Sequence, residues 1–136
     1  MEDDNYPHQG EIYLIRALKT IGDTKKRPAV VVSINVRNQL SSSVLVVPLT
    51  SDLTGGETPT RILIEAGEGG LLTDSLALCD NISAIRQVYL EQGPYGAISP
   101  QSRQRIQQGI KIAIAIFENA HVCLSHHPHP KLAINP

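Results

Sequence analysis

Arg27-Pro28 opens one β-branched run, and a Pro-Leu-Thr-Ser segment, Pro48 to Ser51, closes the next. These residue types suit phosphate chemistry. A guanidinium can hold a phosphate through two parallel hydrogen bonds and oppose the charge that develops there, while a threonine hydroxyl can orient an oxygen. Lys25, Lys26 and Arg27 form the densest basic run, suited to the phosphates of a nucleic acid. Asp80, after Cys79, reads either as a base or hydrogen-bond acceptor or as a cap of the turn it shares with Asn81, and capping is the stronger of the two. Pattern alone leaves a plainer account of the first pair open: Arg27 as a solvated strand entrance and Thr50 as a residue chosen for β propensity.

Other chemistries find less support. His126, His127 and His129 sit in a proline-broken stretch that offers no rigid ligand geometry, so neither a metal site nor a cofactor is expected. Cys123 has no histidine and acid placed beside it by a fold. Gly55-Gly56 and Gly67-Glu68-Gly69-Gly70 lack the downstream lysine and helix of a nucleotide loop and read as turns. RNA cleavage through the ribose 2'-hydroxyl needs no metal, because the nucleophile already belongs to the substrate and requires only alignment, deprotonation and charge stabilisation.

The elements that must position Arg27 and Thr50 are strands. Glu11 to Leu18 reads as the first, and Lys19 to Lys26 as a polar loop. The run Ala29 to Ile34 is a second strand, with Pro28 at its start because it cannot donate to a ladder, and Arg27 held extended before it. Asn35 to Ser43 reads as a polar turn, Val44 to Thr50 as a third strand and Thr60 to Glu65 as a short fourth. One or two more strands fall within Leu76 to Ile85, and Val88-Tyr89-Leu90 closes the sheet before Gly93-Pro94-Tyr95-Gly96. Short strands at even spacing suggest a small barrel, on one rim of which Arg27 and Thr50 could converge. Ser99 then caps an amphipathic helix carrying Ile106, Ile110, Ala113, Ile114 and Phe117 at helical spacing.

The 136 residues fit one domain, read as a barrel over 10–119 between a short segment 1–9 and a His/Pro tail 120–136. Apolar residues make up 41% and charged residues 18%, an ordinary globular balance. The acidic N-terminus lacks a secretory pattern, no stretch is long enough to span a bilayer, and two distant cysteines point to a reducing compartment; a cytoplasmic location without membrane contact is expected. With a net charge of −1 the chain has no global field for nucleic acid, so any RNA site must be local.

The ordered segments GEIYLIRAL, KKRPAVVVSINVRN, VLVVPLTSD and GLLTDSLALCDNISAI resemble the MazF/PemK toxin family from about Gly10 to Phe117. The resemblance implies a mainly β, SH3-like or plasmid-toxin-type barrel with a C-terminal helix. It also implies a homodimeric, sequence-selective endoribonuclease that cuts single-stranded mRNA to a cyclic phosphate and a 5'-hydroxyl, neutralised by a cognate antitoxin. The family's catalytic arginine and threonine fall on Arg27 and Thr50, and Asp80 matches an acidic residue of some members, where Leu78 replaces the arginine preceding the Cys-Asp pair. The loop Gly22 to Lys26 departs from the family pattern in lacking a glutamate. RNA contacts are expected from Lys25, Lys26, Ser33, Asn35 and Ser51, since single-stranded RNA exposes base edges to the loops after Ser33 and after Ser51. Two other readings stand beside this one: a MazF-like binding module that does not cleave, favoured by the net acidity and the altered loop, and a gyrase-directed toxin of related fold, opposed by the retention of Arg27 and Thr50.

Overall fold

The β-branched runs become a single antiparallel sheet. In the computed structural model, which describes residues 5–16 and 26–116, the strands are β1 (Glu11–Ile15), β2 (Arg27–Val31), β3 (Ser43–Thr50), β4 (Arg61–Ile64), β5 (Ser75–Leu78), β6 (Ser83–Arg86) and β7 (Leu90–Ala97). Helices α1 (Asn35–Leu40) and α2 (Pro100–Ala113) complete the list. Lys25 and its loop, and the tail with its histidines, Phe117 and Cys123, lie outside the described residues. Among the described residues no helix is long and apolar enough to cross a membrane.

The strand order is β4-β5-β3-β2-β1-β7, with β6 also paired to β3. β3 is the spine. Its first half pairs with β6 (Val44 opposite Ile85) and its last residues with β5 (Thr50 opposite Leu76), while β2 lies along its other edge. The mainly β architecture with a C-terminal helix is therefore the one expected, although the sheet curls without a ladder joining β4 to β7, so it is barrel-like rather than closed.

Because side chains alternate across a strand, β1, β2 and β3 feed two cores. Ile12, Val30, Val47 and Leu49 join Ile62, Ile64 and Ile106 on one face; Ala29, Val31, Val44 and Val46 pack with Ile15, Ile85 and Leu90 on the other. Burial on both faces explains why these strands read as unbroken apolar runs.

Ser99 caps α2, its Oγ accepting from the Ser102 N–H at 3.1 Å, with Pro100 following where a missing N–H costs nothing. Ile106, 1% exposed, is worth about 1.5–3 kcal/mol through burial. The helix can sit this close because Gly109 faces Cys79: a Cβ there would lie 2.7 Å from the Cys79 Sγ. Burial, reinforced by the Asp80 charge, pushes the Cys79 thiol up to about 11, so it is a neutral core group.

Five readings need correction. Asn35–Leu40, expected as a polar turn, is helix α1, and β2 ends at Val31 rather than continuing to Ile34. The last strand, expected over Val88-Tyr89-Leu90, is instead β7 from Leu90 through Gly93–Gly96 to Ala97, with a cis Gly93-Pro94 peptide, while Gln87–Tyr89 is a 3-10 turn. β1 ends at Ile15, short of Leu18, and α2 ends at Ala113, leaving Ile114 58% exposed. These ends differ because hydrophobic pattern marks what can be buried, while strand partners and caps decide where an element stops.

Glu68 ties a 3-10 turn, Glu68–Gly70, to the start of α2. One carboxylate oxygen accepts from the Ser99 N–H at 2.8 Å and the other from the Ser102 hydroxyl at 2.7 Å. Burial raises its pKa, but these hydrogen bonds and the Arg105 charge outweigh burial and hold the carboxyl below its ordinary value. A lowered folded pKa gives stability that is present above the unfolded pKa and lost as pH falls through the folded one. Glu68→Ala is expected to cost about 2–3 kcal/mol at pH 7. Urea titrations of both proteins across the acid range check it, the difference shrinking as the wild-type carboxyl protonates.

Candidate active site

β2 and β3 bring Arg27 and Thr50 together by register. The ladder pairs Ala29 with Pro48, Val30 with Val47 and Val31 with Val46. Continued outward, the same register sets Thr50 opposite Arg27, on the same face by alternation. Both residues line one groove of about 500 Å³ at the strand ends, with Lys26, Pro28, Ser51 and Asp52 beside them. Leu14 and Leu49 give it an apolar wall, and the segment Gly69 to Thr73 forms another side with Tyr95 of β7.

The Thr50 hydroxyl is oriented by its own loop. Its Oγ1 accepts from the Asp52 N–H at 3.1 Å, which occupies a lone pair and leaves the hydroxyl hydrogen to donate elsewhere. Asp52 is fixed in turn: its Oδ1 accepts from the Thr54 N–H at 3.0 Å and from the Thr54 hydroxyl at 2.6 Å. The Thr54 side-chain hydrogen bond and the Thr54 backbone bond, helped by the Arg61 charge, outweigh desolvation and hold the Asp52 carboxyl below its usual range, so it is ionised at neutral pH.

The other expected RNA contacts divide. Ser51 lines the groove, and so does Lys26, whose ammonium lies 3.0 Å from the Glu91 Oε1, while the other oxygen of that carboxylate binds Arg16. Ser33 does not: it is 5% exposed, and its hydroxyl donates to the Asn38 Oδ1 and accepts from the Leu45 N–H at 3.0 Å, so it is committed to the core. Asn35, at the start of α1, is exposed but accepts from the Gln9 N–H at 2.7 Å, away from the groove lining. Asp80 lies in a 3-10 turn, Cys79–Asn81, and is not among the groove residues; Asp52 is the carboxylate that lines it. Asp52, Leu72 and Tyr95 do not stand out in the sequence, although Thr-Ser-Asp-Leu-Thr from Thr50 to Thr54 carries the spacing of an ST-turn followed by an Asx-turn, which signals local positioning.

Gly70 shapes the groove. It has φ +83°, and a Cβ there would lie 2.7 Å from the Tyr95 carbonyl oxygen and 2.9 Å from the Tyr95 Cβ. Gly70→Ala combines left-handed strain with a backbone clash and is expected to cost about 2–4 kcal/mol, measured by chemical denaturation.

A curled antiparallel sheet with one capping helix and an Arg-Thr groove at the ends of its central strands defines a small β-barrel-like protein with a candidate phosphate-binding site. Residues 8–114 match the family described as PemK-like, MazF-like toxin of type II toxin-antitoxin system. Solved structures agree. An endoribonuclease in complex with its cognate antitoxin, from a mycobacterial species, superposes with TM-score 0.69 at 23% identity, over 83% of this chain and 99% of that one. A second mycobacterial endoribonuclease gives 0.66 at 25% identity over 85% and 97%, and a MazF from Deinococcus radiodurans 0.68 at 17% over 82% and 99%. The chain belongs to the PemK-like, MazF-like toxin family of type II toxin-antitoxin systems.

Proposed function

We propose that this toxin is an endoribonuclease that cuts single-stranded mRNA at a phosphodiester held between Arg27 and Thr50. The observation that carries the reading is that both residues line one groove at the ends of paired strands. The Arg27 guanidinium takes the non-bridging phosphate oxygens and opposes the charge that grows as the neighbouring 2'-oxygen attacks phosphorus. The Thr50 hydroxyl, turned outward by the Asp52 N–H, donates to one of those oxygens. The P–O5' bond breaks as the P–O2' bond forms, the 2'-hydroxyl proton passes to solvent or base, and the 5'-oxygen takes up a proton. A 2',3'-cyclic phosphate and a 5'-hydroxyl result, with no metal required because the nucleophile is internal.

Lys26 and Ser51 on the same groove are suited to backbone contacts, with Lys25 beside them in sequence. The substrate would be sequence-selected mRNA in the cytoplasm. Partners proposed for the chain are a second copy, forming a homodimer, and a cognate antitoxin. A mycobacterial endoribonuclease and a Deinococcus radiodurans MazF have each been solved with their antitoxin, which supports the latter. An acidic and apolar antitoxin segment following this groove would compete with RNA there.

The pairing of Lys26 with Glu91 and the net charge of −1 favour a second reading, a barrel that binds RNA or protein without cutting. Incubation with a long single-stranded RNA in excess chelator, with ends mapped, separates them. Discrete ends bearing cyclic phosphates are expected, and Thr50→Val should lower the rate about 10- to 100-fold. Intact RNA with retained binding would establish the module.

A further inference from the structure

Tyr95 is 47% exposed and Leu72 93% exposed, and both line the groove that holds Arg27 and Thr50. Apolar surface is costly to leave in water without an occupant. Tyr95 is also held in place. The glycine turn packs on its backbone, where a Cβ at Gly70 would come within 2.7 Å of its carbonyl oxygen, and its hydroxyl donates to the Gln92 Oε1 at 3.0 Å. An aromatic side chain anchored at its backbone and at its hydroxyl, in the same groove as the arginine assigned to phosphate, has the composition of a stacking platform: a cation for the backbone and a π-face for the base.

We propose that Tyr95 stacks on a nucleobase flanking the scissile phosphate, with Leu72 extending the apolar surface, and so fixes where along the strand the phosphate meets Arg27. The proposal rests on the RNA reading of the groove. A rigid tyrosine gains affinity from any base and most from the larger purines, which would bias the cleavage word at that position without a hydrogen bond to a base edge.

The test uses a single-stranded 2'-fluoro oligonucleotide of mixed sequence, which lacks the attacking hydroxyl, carrying 2-aminopurine at one position at a time. Wild-type protein is expected to quench one position. Tyr95→Leu should bind about 5- to 150-fold more weakly and abolish that quench, whereas Tyr95→Phe, which keeps the ring and loses only the Gln92 tether, should stay within about threefold. An abasic sugar at the quenched position should weaken wild type and leave Tyr95→Leu no weaker than before. Equal affinity and quench in wild type and Tyr95→Leu, equal losses in the Phe and Leu variants, or no binding of the probe by wild type would each overturn the proposal. If the Tyr95 effects appear while unmodified RNA stays intact, the stacking stands and the nuclease reading falls. If RNA is cut at Arg27-dependent ends while Tyr95→Leu binds as wild type does, stacking falls and cleavage stands.

Discussion

Arg27→Ala is expected to lower the cleavage rate on single-stranded RNA about 10²- to 10³-fold while leaving the protein folded. On the proposed reading the guanidinium faces the scissile phosphate, and removing one well-placed donor to developing negative charge costs this much in comparable sites. Arg27 is exposed at the first residue of β2, so the change in stability should stay within about 0.5 kcal/mol. Arg27→Lys restores charge without the planar fork and should recover only part of the rate. Single-turnover kinetics at saturating protein, with thermal melts as the folding control, measure both. A rate unchanged in Arg27→Ala would remove this residue from the chemistry.

The largest loss of stability is expected at Asn38, inside α1. It is 1% exposed, and its amide nitrogen donates to the carbonyls of Pro7 at 3.0 Å and Ser33 at 2.9 Å while its oxygen accepts from the Ser33 hydroxyl. Asn38→Ala strands two buried acceptors and one donor at about 1–3 kcal/mol each, partly offset by relaxation, for a net cost of about 3–5 kcal/mol. The melting midpoint should fall by about 10–20 °C, read by calorimetry. Asn38→Asp should do no better, since a carboxylate cannot make either donation and brings a charge into a dry site.

Asn38 also shows why α1 was illegible. An amphipathic helix announces itself by apolar residues at inward positions, but here Ile34, Val36 and Leu40 are 55%, 58% and 81% exposed and the inward residue is a polar asparagine. Its N-cap, Ile34, offers no side-chain hydrogen bond either. β2, β3 and α2 could be read because their signals are local: β-branched runs beside prolines, and a serine cap before a 3.6-residue period. The same distinction runs through the site. Arg27 and Thr50 could be placed at strand ends from adjacent residues, whereas Tyr95 and Leu72 reach the groove through a sheet edge and a glycine turn that no short spacing encodes. Ser33 reads as an RNA contact because a serine near a strand end looks the same in sequence whether its hydroxyl meets solvent or an asparagine.

The sharing of β3 between β6 and β5 on one edge, with β2 along the other, has a bearing on how such a protein can be dismantled. A strand flanked over most of its length offers a protease no extended peptide to seize, and it belongs to both halves of the curl at once. Neither half can loosen alone without breaking the other's central ladder. The β3 amides should accordingly exchange with deuterium only through whole-molecule opening, and cleavage within β3 would follow the global unfolding equilibrium rather than local fraying.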